Sequence, residues 1–183
     1  MLFFFYLNPF YFIFSYFCFS LILKLIAMIE VKIPGYANMQ IEHLVMDYNG
    51  TLATDGFLEP QVHQLLLEIS NRVTTHVITA DTHGKVSEQL QGFPFNVNII
   101  GEENQDLQKL EYLSALNPEN IIAIGNGVND ALMLKEAAIG ICVVNHECAS
   151  SKAVINSDIV CHSIIDALEL LINPNRLKAT LRN

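Results

Sequence analysis

Residues 41–52 read IEHLVMDYNGTL. An apolar run, Ile41 to Met46, ends on a carboxylate, Asp47, followed by an Asn49-Gly50 turn and Thr51. A short run rich in apolar residues and closed by turn residues reads as a strand. The same signature recurs outward along the chain. Strands are expected at Ile29 to Ile33, Val73 to Thr79, Val97 to Ile100, Ile121 to Ile124, Ile139 to Val144 and Ile159 to Cys161. Between them lie helical patterns at Glu59 to Ser70, Gly84 to Leu90, Asp106 to Leu116, Asp130 to Ala137, Ser150 to Ile155 and Ile164 to Ile172. Val62, Leu65, Leu66 and Ile69 share one helical face, as do Leu107, Leu110, Leu113 and Leu116. Pro174 punctuates the end, before a basic tail with Arg176, Lys178 and Arg182. Strands alternating with helices imply an α/β fold with right-handed crossovers and a mostly parallel sheet. Ligands of such sheets sit beyond the carboxyl ends of the strands.

Composition sets the outer limits. The chain has 183 residues, 51% hydrophobic and 16% charged, with a net charge of -9. Residues 1–27 carry a single charge, Lys24, and residues 28–183 read as one domain of ordinary composition. Residues 9–27 approach the length that spans a bilayer. Met1 to Phe17 has no Lys or Arg, so a secretory signal is not expected. The abrupt change at Met28 favours a start there, with residues 1–27 an over-extension of the gene model. A membrane enters only if those residues are real, and Lys24 and Lys32 would then keep the domain in the cytoplasm. The acidic surface and the lack of clustered Lys and Arg argue against nucleic acid as a partner. Cys18, Cys142, Cys148 and Cys161 form no CxxC pair, so neither a disulfide framework nor a zinc site is expected. Cys142, His146 and Cys148 read as buried thiols and a loop histidine, and a reducing, cytoplasmic setting fits.

Three polar groups follow predicted strands: Asp47-Tyr48-Asn49-Gly50-Thr51, Thr79-Ala80-Asp81 and Gly125-Asn126-Gly127-Val128-Asn129-Asp130. A parallel sheet brings all three to one edge, and Lys109 lies near the start of a helix upstream of the third. Carboxylates at Asp47 and Asp130 with amide oxygens nearby suit Mg²⁺. Backbone N–H groups around Gly50 and Thr51 and the Thr79 hydroxyl suit phosphate oxygens. Lys109 supplies a point charge to a phosphoryl group, which one carboxylate can attack as nucleophile. Singly, each piece has a plainer reading: a hairpin turn, a strand-end threonine, a solvated lysine.

Together the motifs resemble the haloacid dehalogenase (HAD) superfamily, whose pattern is DxDGT, a strand-end Thr or Ser, a Lys and GDxxxD. In particular they resemble the phosphorylation domain of P-type ATPases, with DKTGT, TGD and GDGxND, and the small soluble P-type ATPase-like group. The resemblance runs from about Met28 to Leu181 and includes Ala131 to Ile141 after the last motif. It implies a HAD-like Rossmannoid three-layer α/β/α sandwich and a Mg²⁺-dependent phosphohydrolase or phosphotransferase. Asp47 would be nucleophile and metal ligand, the Asn49 carbonyl a metal ligand, Thr79 and Lys109 phosphoryl holders, and Asp130 would order the metal with Asn129 nearby.

Two positions depart from the pattern. Asn49 stands where HAD phosphatases have the acid–base aspartate, so hydrolysis is expected to be slow. Asn126 stands where an aspartate contacts the metal, so metal affinity is expected to be weak. A non-catalytic regulatory or interaction protein is the alternative that these two substitutions favour. Only one helix fits between Gly56 and Val73, and a helix and strand between Gly84 and Lys109, so no cap domain is expected. An open site implies a large substrate, a partner or a neighbouring subunit to exclude water, hence a phosphorylated small molecule or phosphoprotein and a possible homo-oligomer.

Overall fold

The computed structural model describes residues 28–182 other than 36, 82 and 83. The reading of residues 1–27 lies outside them. Among the described residues, no helix is long and apolar enough to cross a membrane.

The chain opens with a hairpin, β1 (Ile29–Ile33) and β2 (Ala37–Ile41), paired antiparallel around a Pro34-Gly35 turn. Then follow β3 (His43–Asp47), a small flap of β4 (Ala53–Thr54) and β5 (Phe57–Leu58), and α1 (Pro60–Ser70). Next come β6 (Thr74–Thr79), α2 (Val86–Gln89), β7 (Asn96–Ile99), α3 (Gln105–Ser114) and β8 (Ile121–Gly125). A 3₁₀ turn, Val128–Asp130, leads into α4 (Ala131–Glu136), then β9 (Ile139–Val143), α5 (Ser151–Ile155), β10 (Ile159–Cys161), α6 (Ile164–Ile172) and α7 (Pro174–Leu181).

Six strands form one sheet in the order β10-β9-β8-β3-β6-β7, and every pairing is parallel. Adjacent residues of a strand serve opposite faces. Leu44 and Met46 enter the core that α1 and α6 close, while Val45 enters the core shared with Leu113 of α3 and Met133 of α4. This is the expected three-layer α/β sandwich, and among the described residues only the flap and α1 separate β3 from β6, so no cap is present there.

Three sequence expectations need correction. Ile41 to Met46 is not one strand: Ile41 ends β2, and the chain breaks pairing at Glu42, whose N–H donates to the Asn120 carbonyl at 2.9 Å. The flap was not foreseen, because two-residue strands leave no periodicity. The basic tail is a helix, α7, with Pro174 in its first turn and Leu177 fully buried. Proline suits that position because its missing N–H would have no helical partner anyway.

A partly buried polar chain links α3 to the sheet. His43 Nδ1 lies 3.0 Å from His76 Nε2, and His76 Nδ1 lies 2.8 Å from the Tyr112 hydroxyl of α3. His76 is buried, and burial first, then His43, push its pKa down from 6.5 to about 4. The folded protein thus binds fewer protons than the unfolded chain between those values. The stability held above pH 6.5 is lost as pH falls towards 4. Denaturant unfolding at pH 7 and pH 4.5 should show a smaller acid loss for His76→Gln than for the parent. Equal losses would remove His76 as the source.

Candidate active site

The three central strands β8, β3 and β6 are neighbours, so their carboxyl ends bring Gly125, Asp47 and Thr79 to one edge. Lys109 reaches them from α3. It shares the sheet-facing stripe with Leu113, one turn on, and both are fully buried. Its Nζ lies 2.6 Å from Asp47 Oδ1 and 2.6 Å from Asp130 Oδ1. The plainer reading of Lys109 as a solvated helix lysine is thereby excluded.

Buried charges are tolerated only when paired and hydrogen-bonded. Asp130 meets that condition, because its Oδ2 accepts the N–H groups of Asn126 at 2.9 Å and Gly127 at 2.8 Å. Gly125 makes room for it: a Cβ there would stand 2.6 Å from Asp130 Cβ. Asp130 has no exposed surface, whereas Asp47 keeps 6%. Asp47 is therefore the carboxylate a substrate can reach. Burial pushes its pKa up from 3.8 to about 6; Lys109 pulls back and Asp130 pushes further. Burial opposes the charge on Lys109, but Asp47 and Asp130 outweigh it and hold the ammonium above the usual lysine range. The triad is thus a cation clamped between two anions.

The loop after Asp47 is tightly wound. The Tyr48 carbonyl accepts the N–H groups of Thr51, Leu52 and Ala53, and the Gly50 N–H donates to the Ala53 carbonyl. Gly50 has φ +76, a conformation that favours glycine. The expectation that the Gly50 and Thr51 amides face a phosphate is corrected here, since both are spent inside the loop. Thr51 is also fully buried, and its hydroxyl donates to Asn126 Oδ1 at 3.1 Å. Thr79 differs. Its Oγ1 accepts from the Asp81 N–H at 3.0 Å and lies 3.5 Å from Asn49 Nδ2, so its own proton remains for an incoming acceptor.

Sequence reasoning missed two residues of the loop after β9. Asn145 Nδ2 donates to the carbonyls of Gly50 at 3.2 Å and Thr51 at 2.6 Å, and its Oδ1 accepts the Ile164 N–H. Glu147 Oε1 accepts the Asp55 N–H of the flap at 3.0 Å. Neither stands at a motif spacing, so no sequence signal marked them. A cleft of about 380 Å³ adjoins the loop, lined in part by Leu52, Thr54, Asn145, His146 and His162.

Residues 78–164 match the family model described as haloacid dehalogenase-like hydrolase, a span that holds Thr79, Lys109 and Asp130 in the arrangement above. Over this span the chain is similar to the haloacid dehalogenase-like hydrolases. An uncharacterized protein of Methanocaldococcus jannaschii is 54% identical over 84 residues, which are 44% of this chain and 90% of that one. Two solved structures share the fold. The 3-deoxy-D-manno-octulosonate 8-phosphate phosphatase of Moraxella catarrhalis, in complex with magnesium, phosphate and the sugar acid, aligns with TM-score 0.59 and 18% identity over 78% of this chain and 94% of its own. The cobalt-bound phosphatase of the same kind from Haemophilus influenzae gives TM-score 0.60 and 11% identity over 78% and 94%.

The donor set decides whether a divalent cation fits. Asn49 Oδ1 is buried with no hydrogen-bond partner, an unpaired oxygen in the loop that follows Asp47. An all-oxygen set with few protein ligands fits Mg²⁺, which keeps several waters and often takes one or two carboxylates. Asp130 and Asn126 were expected as ligands as well. Here Asp130 hydrogen-bonds Lys109 and two amides, and the Asn126 carboxamide bonds Thr51 and the Cys148 carbonyl. Among the described residues, no group of three or more His, Cys, Asp or Glu side chains is placed to hold a metal, including Cys142, His146 and Cys148.

Proposed function

We propose that this protein is a Mg²⁺-dependent phosphohydrolase or phosphotransferase that works through an aspartyl-phosphate on Asp47. The observation that carries the reading is the reachable Asp47 carboxylate, held 2.6 Å from a buried Lys109 and on the sheet edge it shares with Thr79.

The Asp47 carboxylate attacks phosphorus, and the bond from phosphorus to the leaving oxygen breaks. Lys109 offsets charge on the phosphoryl oxygens, and the Thr79 hydroxyl donates to one of them. The leaving oxygen takes its proton from solvent, because the Asn49 carboxamide has no acidic proton to give. Attack by water, or by an acceptor hydroxyl, then releases Asp47. A bound Mg²⁺, held by Asp47 and the oxygens of Asn49, would neutralise the phosphate dianion. The absence of an acid–base group at residue 49 supports a long-lived phosphoenzyme, in line with the resemblance to the soluble P-type ATPase-like group. A phosphorylated small molecule or phosphoprotein fits the uncapped edge, and a second copy of the chain is one way to cover it.

Intact-mass measurement after incubation with Mg²⁺ and acetyl phosphate tests this. A phosphate adduct on the parent and none on Asp47→Asn is the expected result. No adduct on the parent, with no Mg²⁺ effect on thermal stability, would leave the non-catalytic reading standing.

A further inference from the structure

One corner of the site joins three segments through a single carboxamide. Asn126 Oδ1 accepts the Thr51 hydroxyl at 3.1 Å, and Nδ2 donates to the Cys148 carbonyl at 2.9 Å. Its main-chain N–H serves Asp130, and its carbonyl accepts the Ser150 N–H at 2.8 Å. Residue 126 thus ties the nucleophile loop to the loop that carries Glu147. Both ends of the carboxamide are needed. A carboxylate can accept from Thr51 but has nothing to donate to a carbonyl, and would leave that oxygen facing a negative charge.

Glu147 explains why charge is absent at residue 126. Its Oε2 and the Asn126 carboxamide both flank Gly50: a Cβ there would stand 2.5 Å from the amide nitrogen and 3.1 Å from the carboxylate oxygen. An aspartate at 126 would set a second anion against Glu147, at an edge that already holds Asp47 and Asp130 against one Lys109. A neutral carboxamide adds no second anion there.

We infer that the negative charge of this corner resides on Glu147, and that Asn126 is a positioning residue whose neutral carboxamide ties the loop that carries Glu147 to the nucleophile loop. Asn126 is therefore a working replacement, not a decayed ligand. Glu147 also latches the flap through the Asp55 N–H, so the charge offered to a cation and the seating of the flap depend on one side chain. The cation part rests on the function proposed above; the structural part does not.

The test is a double-mutant cycle of Asn126→Asp and Glu147→Gln in the full chain. It is read by thermal midpoint without ligand and by Mn²⁺ affinity from electron paramagnetic resonance. Glu147→Gln keeps an acceptor for the Asp55 N–H and removes the charge. It should weaken Mn²⁺ binding on the order of tenfold, the scale of lost outer-shell partners. Asn126→Asp should lower the midpoint by roughly 2–4 °C, the shift that a modest loss produces in a domain of this size. The double variant should regain part of both losses, since it again carries one carboxylate at this corner. Additive midpoints, or an Asn126→Asp protein that is more stable and binds Mn²⁺ more tightly than the parent, would overturn the inference. If Asn126→Asp does not fold, Glu147→Gln decides alone: unchanged Mn²⁺ affinity defeats it. A parent that forms no phosphoenzyme would defeat the proposed function while leaving the midpoint cycle readable.

Discussion

Asn49→Asp is expected to release phosphate about 10²–10⁴-fold faster than the parent, the usual worth of a positioned acid–base group. The reason lies in what the carboxamide does at present. Asn49 Nδ2 lies 3.5 Å from Thr79 Oγ1, and Asn49 Oδ1 is buried without a partner. The side chain donates towards the phosphoryl-binding hydroxyl, yet an amide can neither transfer a proton to a leaving group nor take one from water. An aspartate in the same place inherits a desolvated oxygen, and desolvation raises its pKa. It can then protonate the leaving oxygen and, once ionised, accept a proton from the attacking water. The decisive measurement is the decay of the phosphate adduct after acetyl phosphate is removed. Faster decay with an adduct still on Asp47 supports the assignment. Decay at the parent's rate would show that water reaches the aspartyl-phosphate by a route that residue 49 does not control.

Much of this site was legible because its parts follow strands. The run Ile41 to Met46 identifies a strand end, and strand ends of a parallel sheet converge, so Asp47, Thr79 and the Gly125 to Asp130 turn could be grouped without coordinates. The order of strands could not be read, yet it is what sets β8 and β6 on either side of β3. Lys109 illustrates the limit. Its spacing from Leu113 places it on the buried stripe, but lysines at such positions usually reach solvent, and only two carboxylates at 2.6 Å explain why this one does not. Asn145 and Glu147 were invisible for another reason. They act through backbone groups of Gly50, Thr51 and Asp55, and bonds to backbone leave no residue-type signature in the partner. The flap and the β2–β3 break escaped because elements of two residues, or a junction at Glu42, fall below any periodic signal.

Lys109→Met is expected to destabilise the fold by about 3–5 kcal/mol at pH 7–8, the cost of leaving buried charge without its partner. The methionine replaces the stem of the lysine and its packing beside Leu113, so the loss is electrostatic rather than a cavity. Asp130 has no exposed surface and Asp47 little, so neither carboxylate can turn to water when the ammonium is gone. The pH dependence gives the signature. In the parent, Asp47 already has a folded pKa of about 6 against an ordinary 3.8. A group with a raised folded pKa contributes stability below its unfolded value and loses it as pH rises through the folded value. Without Lys109 that folded value rises further, so the variant should gain stability relative to the parent as pH falls from 8 to 5, where the native state takes up a proton. Asp47→Asn in the Lys109→Met background should recover much of the loss at neutral pH, because one carboxylate then remains where two had faced each other. Urea unfolding of the three proteins at pH 8 and pH 5 measures this. A Lys109→Met penalty that is the same at both pH values, and that Asp47→Asn does not relieve, would mean that Lys109 stabilises the fold by packing alone.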